Sequence, residues 1–76
     1  MTTREMVTEI DRELHDVCQP LTNMCCYLEL GQLKGDLESM RVAMDGSMAE
    51  CRRILDCVAA MRAHLAAMLD GTRDLV

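Results

Sequence analysis

The chain has no tryptophan and no phenylalanine, and its one aromatic residue is Tyr27. Sheets pack with aromatic and β-branched side chains, so this scarcity, beside eight methionines and a half-apolar composition, points to helices. Positive charge is also short, with 8 Lys and Arg against 13 Asp and Glu and a formal net charge of −5. Such a balance repels phosphate backbones and anionic lipid and argues against nucleic acid or a membrane surface as a direct partner. No apolar run approaches a membrane span, and Met1 to Glu5 lacks the charged start and apolar core of a signal peptide, so a cytoplasmic location is expected. Proline occurs once, at Pro20.

Cysteine is present but unframed. Five residues make an odd number, and the adjacent Cys25 and Cys26 diverge on a helix and cannot bridge there, which reads as free thiols in a reducing compartment. The spacing contains no Cys-x-x-Cys and no histidine pair one turn apart, so no metal site is expected; Cys18, Cys25, Cys51 and Cys57 read as small apolar fillers. Seventy-six residues form one small domain over 1–76, and a chain this short buries a modest share of its surface, which favours self-association.

What is there is helical periodicity. Thr2-Thr3-Arg4-Glu5 is a capping box that starts a first helix at about Thr3. Val7, Ile10, Leu14, Val17, Leu21, Met24 and Leu28 then recur at spacings of three and four, a heptad stripe expected to face the core. The pattern fades at Gly31, and residues 32–36 form a short turn in which Asp36 caps the next helix, so the two helices should lie antiparallel. The second helix is expected from about 37 to 70, ended by Gly71, with a stripe through Leu37, Met40, Met44, Cys51, Ile54, Val58, Met61, Leu65 and Met68. Gly46 and the capping box Ser47 to Glu50 predict a bend or restart at 45–47. Leu55, Cys57 and Leu69 widen that stripe beyond the reach of one partner helix, which suggests that two hairpins pair. The expected fold is all-α, an antiparallel helical hairpin forming a homodimeric four-helix bundle, with Thr72 to Val76 frayed.

Within the first helix lies His15-Asp16-Val17-Cys18-Gln19-Pro20-Leu21-Thr22. Proline in a helix interior costs about 3 kcal/mol, because it removes an N–H and crowds the carbonyl four residues back, so a bend at Pro20 with a functional reason is expected. With Leu14 and Val17 on the stripe, His15, Asp16 and Gln19 fall away from its centre, which presents the imidazole to solvent. An imidazole is nucleophilic near neutral pH and takes a phosphoryl group on one ring nitrogen. A neighbouring carboxylate, Asp16, is placed to fix the tautomer and accept the released proton, and an amide one turn on, Gln19, to orient water or the transferring group. His64 has no such context and reads as an ordinary surface or flanking histidine. Arg41, Arg52 and Arg53 read as a solvated face, and the methionines of the second helix as adaptable core.

The eight-residue box resembles the H-box of the dimerisation and histidine-phosphoacceptor domain of sensor histidine kinases. Tyr27 to Leu30 resembles the continuation of that helix, and Arg53 to Leu69 the second helix. The resemblance implies a helical hairpin that dimerises into a four-helix bundle. It makes His15 the acceptor of a phosphoryl group from ATP, held with Mg2+ by a separate catalytic domain, and the donor to an aspartate of a response-regulator receiver domain. It makes Asp16 the acidic neighbour that assists phosphorylation, Gln19 the position that tunes dephosphorylation, and Pro20 the bend below the site. This chain has no Gly-rich nucleotide-binding segment, so it is expected to be no kinase alone, and to be either part of a larger cytoplasmic sensor or a stand-alone phosphotransfer protein. Two other readings use the same helices: a purely structural dimerisation hairpin, and a helical adaptor that binds a partner through its methionines.

Overall fold

The computed structural model describes residues 2–74, with the side chains of 2–71. Two helices, α1 (Thr3–Lys34) and α2 (Leu37–Asp74), pack as a hairpin 59 × 18 × 10 Å in extent. The Thr2 hydroxyl caps α1, accepting from the Glu5 amide at 3.2 Å. At the other end Gly35 adopts the left-handed conformation, φ 69°, and its N–H bonds the Gly31 carbonyl at 3.0 Å. Asp36 then caps α2, its Oδ2 accepting from the Ser39 amide at 3.2 Å.

Three of the expected boundaries move. Gly31 does not end α1; a Cβ there would stand 2.6 Å from the Ala43 Cβ, so this glycine is where the two backbones come closest, and the helix ends at Gly35 instead. Nor does α2 break at 45–47. Gly46 lies under the Tyr27 ring, which a Cβ there would meet at 2.6 Å, and Ser47 is buried, so both serve packing inside a continuous helix. Gly71 lies within α2, which runs on to Asp74; the expected fraying falls partly on Leu75 and Val76, outside the described residues. In α1 the helix continues through Pro20, which is buried.

The face on which the helices meet differs from the expected stripe. On α1 it is built from Met6, Glu9, Glu13, Val17, Pro20, Met24 and Gly31, rotated about one residue from the heptad positions; on α2 from Ala43, Gly46, Ser47, Glu50, Ile54, Cys57, Met61, His64 and Met68. Close approach needs small residues, and these two helices offer them off the heptad line. Val7, Leu14, Leu28, Met40, Met44 and Leu65 consequently remain exposed. At roughly 100° per residue, the apolar stripe lies about 80° round α1 from the hairpin contact and about 100° round α2 in the same sense. For antiparallel helices those rotations place both stripes on one side of the hairpin.

Candidate functional site

His15 is exposed on α1. It lies roughly 160° round the helix from the hairpin contact and about 120° from the centre of the apolar stripe, so its ring faces away from both. Among the described residues, no hydrogen bond or ion pair joins His15 to another side chain. Gln19, one turn on, is exposed as well, while Pro20 is buried at the contact. The box therefore straddles the helix: imidazole and amide outward, proline inward.

Asp16 stands between these faces. Its side chain makes no hydrogen bond with His15, since residues adjacent on a helix diverge, and it borders a cleft of about 100 Å³ with Glu13, Cys57, Ala60 and Met61. The Asp16 carbonyl is the one that Pro20 leaves without its helical N–H donor. Cys57 of α2 brings its Sγ to 3.9 Å from that oxygen, so a weak thiol donor from the second helix partly replaces the missing bond. Nearby, the Thr22 hydroxyl donates to the Cys18 carbonyl at 2.9 Å, a bond to the turn before it. Cys18 itself is exposed, as are Cys25 and Cys26, and all five cysteines are free.

The residue that sequence reasoning missed is His64. Expected to be an ordinary surface or flanking histidine, it is partly buried and reaches across the hairpin to α1, its Nδ1 hydrogen-bonded to Glu13 Oε1 at 2.7 Å and its Nε2 2.9 Å from Glu9 Oε2. The second contact is at ion-pair distance but off the hydrogen-bonding line, and Glu9 Oε2 is buried with no hydrogen-bond partner. The signal was available in part, because Glu9 and Glu13 are one turn apart and in phase with Met6 and Val17 on a helix otherwise read by its apolar residues alone.

Other charges are local. Arg53 pairs with Glu50 at 3.3 Å on its own helix, and Arg41 and Arg52 are exposed without an ion pair. Met24 Sδ and Cys51 Sγ meet at 3.3 Å in mid-hairpin, two soft sulfur atoms filling the contact. No cluster of three or more His, Cys, Asp or Glu side chains suited to a metal ion occurs among the described residues; the two nitrogens of His64 face different carboxylates, so that trio does not converge on one point. In chemical terms the outward face of α1 offers an exposed imidazole with an amide one turn on, while the Asp16 carboxylate diverges from it toward the cleft. The chain matches no family model, no curated protein and no solved structure.

Proposed function

We propose that the chain is a histidine phosphoacceptor and dimerisation module of two-component signalling, with His15 as the acceptor. The observation that carries this reading is the exposure of His15 on a face turned away from both the hairpin contact and the apolar stripe, one turn before a buried proline. A neutral ring nitrogen there attacks a phosphorus atom, the bond from phosphorus to the leaving oxygen breaks with its electron pair, and the proton on the other ring nitrogen passes to Asp16 or to water. Return of the electron pair to the ring, as a receiver aspartate takes the phosphoryl group, together with uptake of a proton by the ring, restores the imidazole. Gln19 is the group placed to orient water or the transferring phosphoryl. No phosphate-cradling loop occurs among the described residues, so ATP and Mg2+ belong, on this reading, to a separate catalytic domain.

Dimerisation completes the proposal. Exposed apolar residues of both helices on one side of the hairpin are what a second copy would cover to make a four-helix bundle, and such pairing leaves His15 outside. Five free thiols suit a reducing, cytoplasmic compartment, and no helix among the described residues is long and apolar enough to cross a membrane. The same apolar face supports a second reading, a dimerisation hairpin without phosphotransfer.

The test is incubation with phosphoramidate, read by intact mass and phosphorus NMR, on the wild type, His15→Gln and His64→Gln. One acid-labile phosphoryl group, lost in His15→Gln and kept in His64→Gln, is the expected result, with helicity and dimer mass unchanged in His15→Gln. If the wild type stays unlabelled both here and with a catalytic domain supplying ATP, the structural reading replaces this one.

A further inference from the structure

We propose that His64 is a proton-operated clasp that closes the open end of the hairpin through Glu9 and Glu13. This inference rests on the hairpin alone and not on the phosphoacceptor reading. Near neutral pH an imidazole holds one or two protons, and the geometry makes the two states unequal. With one proton, on the Nδ1 that meets Glu13 Oε1 at 2.7 Å, the unprotonated Nε2 stands 2.9 Å from Glu9 Oε2, two electron-rich atoms in contact. A second proton, on Nε2, replaces that repulsion with attraction and sets a positive charge between two carboxylates, 2.9 Å from the buried Glu9 oxygen that has no hydrogen-bond partner.

The surroundings leave this role to His64. On α1 the charged groups facing it are Glu9 and Glu13, and Arg12 stands 3.5 Å from the other oxygen of Glu9 with its own side chain largely exposed. On α2 its neighbours one turn away are Ala60, Met61, Ala67 and Met68, none of them titratable; Arg62 projects from another face. Without the imidazolium, Glu9 keeps only the exposed Arg12 and Glu13 faces no cation among the described residues. The far end of the hairpin is held by the Gly35 turn, whereas at this end the helices are joined by no connection and Glu9, Glu13 and His64 provide the polar link between them.

Protonation of the ring therefore favours closure, and the sign follows: while both glutamates carry their charge, the clasp holds better with the imidazolium than with the neutral ring.

The test is amide hydrogen exchange between pH 5.5 and 7.5, corrected for the intrinsic pH dependence of exchange. Residues 6–14 and 60–68 are read against residues 24–31 and 43–51 near the turn, with ring nitrogen NMR reporting the protonation of His64. In the wild type, protection at the open end should fall roughly five-fold over this range, the partial exposure of the three side chains holding the effect to that of a screened ion pair. Protection near the turn should stay level. Glu9→Gln removes the charge that faces Nε2 and His64→Gln removes the titrating group, so each should flatten the response. A wild-type response that survives unchanged in His64→Gln, or no response while the ring changes protonation, overturns the clasp.

Discussion

Gly31 and Gly46 set the distance between the helices, and they do so against different neighbours. A methyl group on Gly31 would meet the Ala43 Cβ at 2.6 Å, an atom fixed to its backbone that cannot swing aside, whereas on Gly46 it would meet the Tyr27 ring. Gly31→Ala gains helix propensity of about 1 kcal/mol, but overpacking between two rigid helices costs more, so a net loss of about 1–2 kcal/mol is expected. Urea unfolding measures it. Ala43→Gly in the same chain removes the colliding methyl, and a favourable coupling between the two changes in a double-mutant cycle identifies contact as the cause. His15 is the opposite kind of residue. It is exposed and, among the described residues, no hydrogen bond or ion pair joins it to another side chain, so its replacement should leave unfolding unchanged while ending the proposed phosphoryl acceptance, and a change in stability would assign it a structural role.

At the scale of the element, capping decides where each helix stops. α1 ignores Gly31 because helical backbone continues readily through a residue whose missing side chain is used for packing, and it stops at Gly35, where φ is 69°. Asp36 then starts α2. Hydrogen bonding from the Ser39 side chain, and after it from the Ser39 amide, holds the Asp36 carboxyl below its ordinary value of 3.8. A carboxylate lowered in the folded state adds stability that is present above the unfolded value and lost as pH falls through the folded one. Asp36→Asn keeps a capping oxygen without the charge. The difference in urea midpoint between wild type and this variant should therefore be larger at pH 7 than at pH 2.5. A difference independent of pH would mean that the charge of Asp36 plays no part in the cap.

For the whole molecule, the question is what covers the apolar side. Leu14 is 52% exposed and lies on the stripe but off the hairpin contact, so a charge there spares the fold of one chain while opposing a second copy. If the proposed dimer forms through this stripe, Leu14→Asp should convert it into a monomer, read by light scattering with chromatography. Val17 is a weaker probe, because it also touches the hairpin contact and its change to Asp would disturb both. Retained dimer mass in Leu14→Asp would remove the stripe from the interface.

The helices, their antiparallel arrangement, the N-cap at Thr2 and the outward position of His15 and Gln19 were legible in the sequence. Each depends on residues within a turn or two, where capping chemistry and a repeat of three and four suffice. The role of Gly31, the continuity of α2 through Gly46, and the pairing of His64 with Glu9 and Glu13 were not. In each, a residue is explained by a neighbour on the other helix. Apolar periodicity identifies the greasy side of a helix, but the line along which two helices touch follows the smallest residues, and here the two differ by one position. By itself the sequence determined two amphipathic helices and an exposed histidine, because helical phase is local; the tertiary structure alone decided that glycine, serine, proline and a histidine between two carboxylates form the contact, because close approach of two backbones selects for what fits between them.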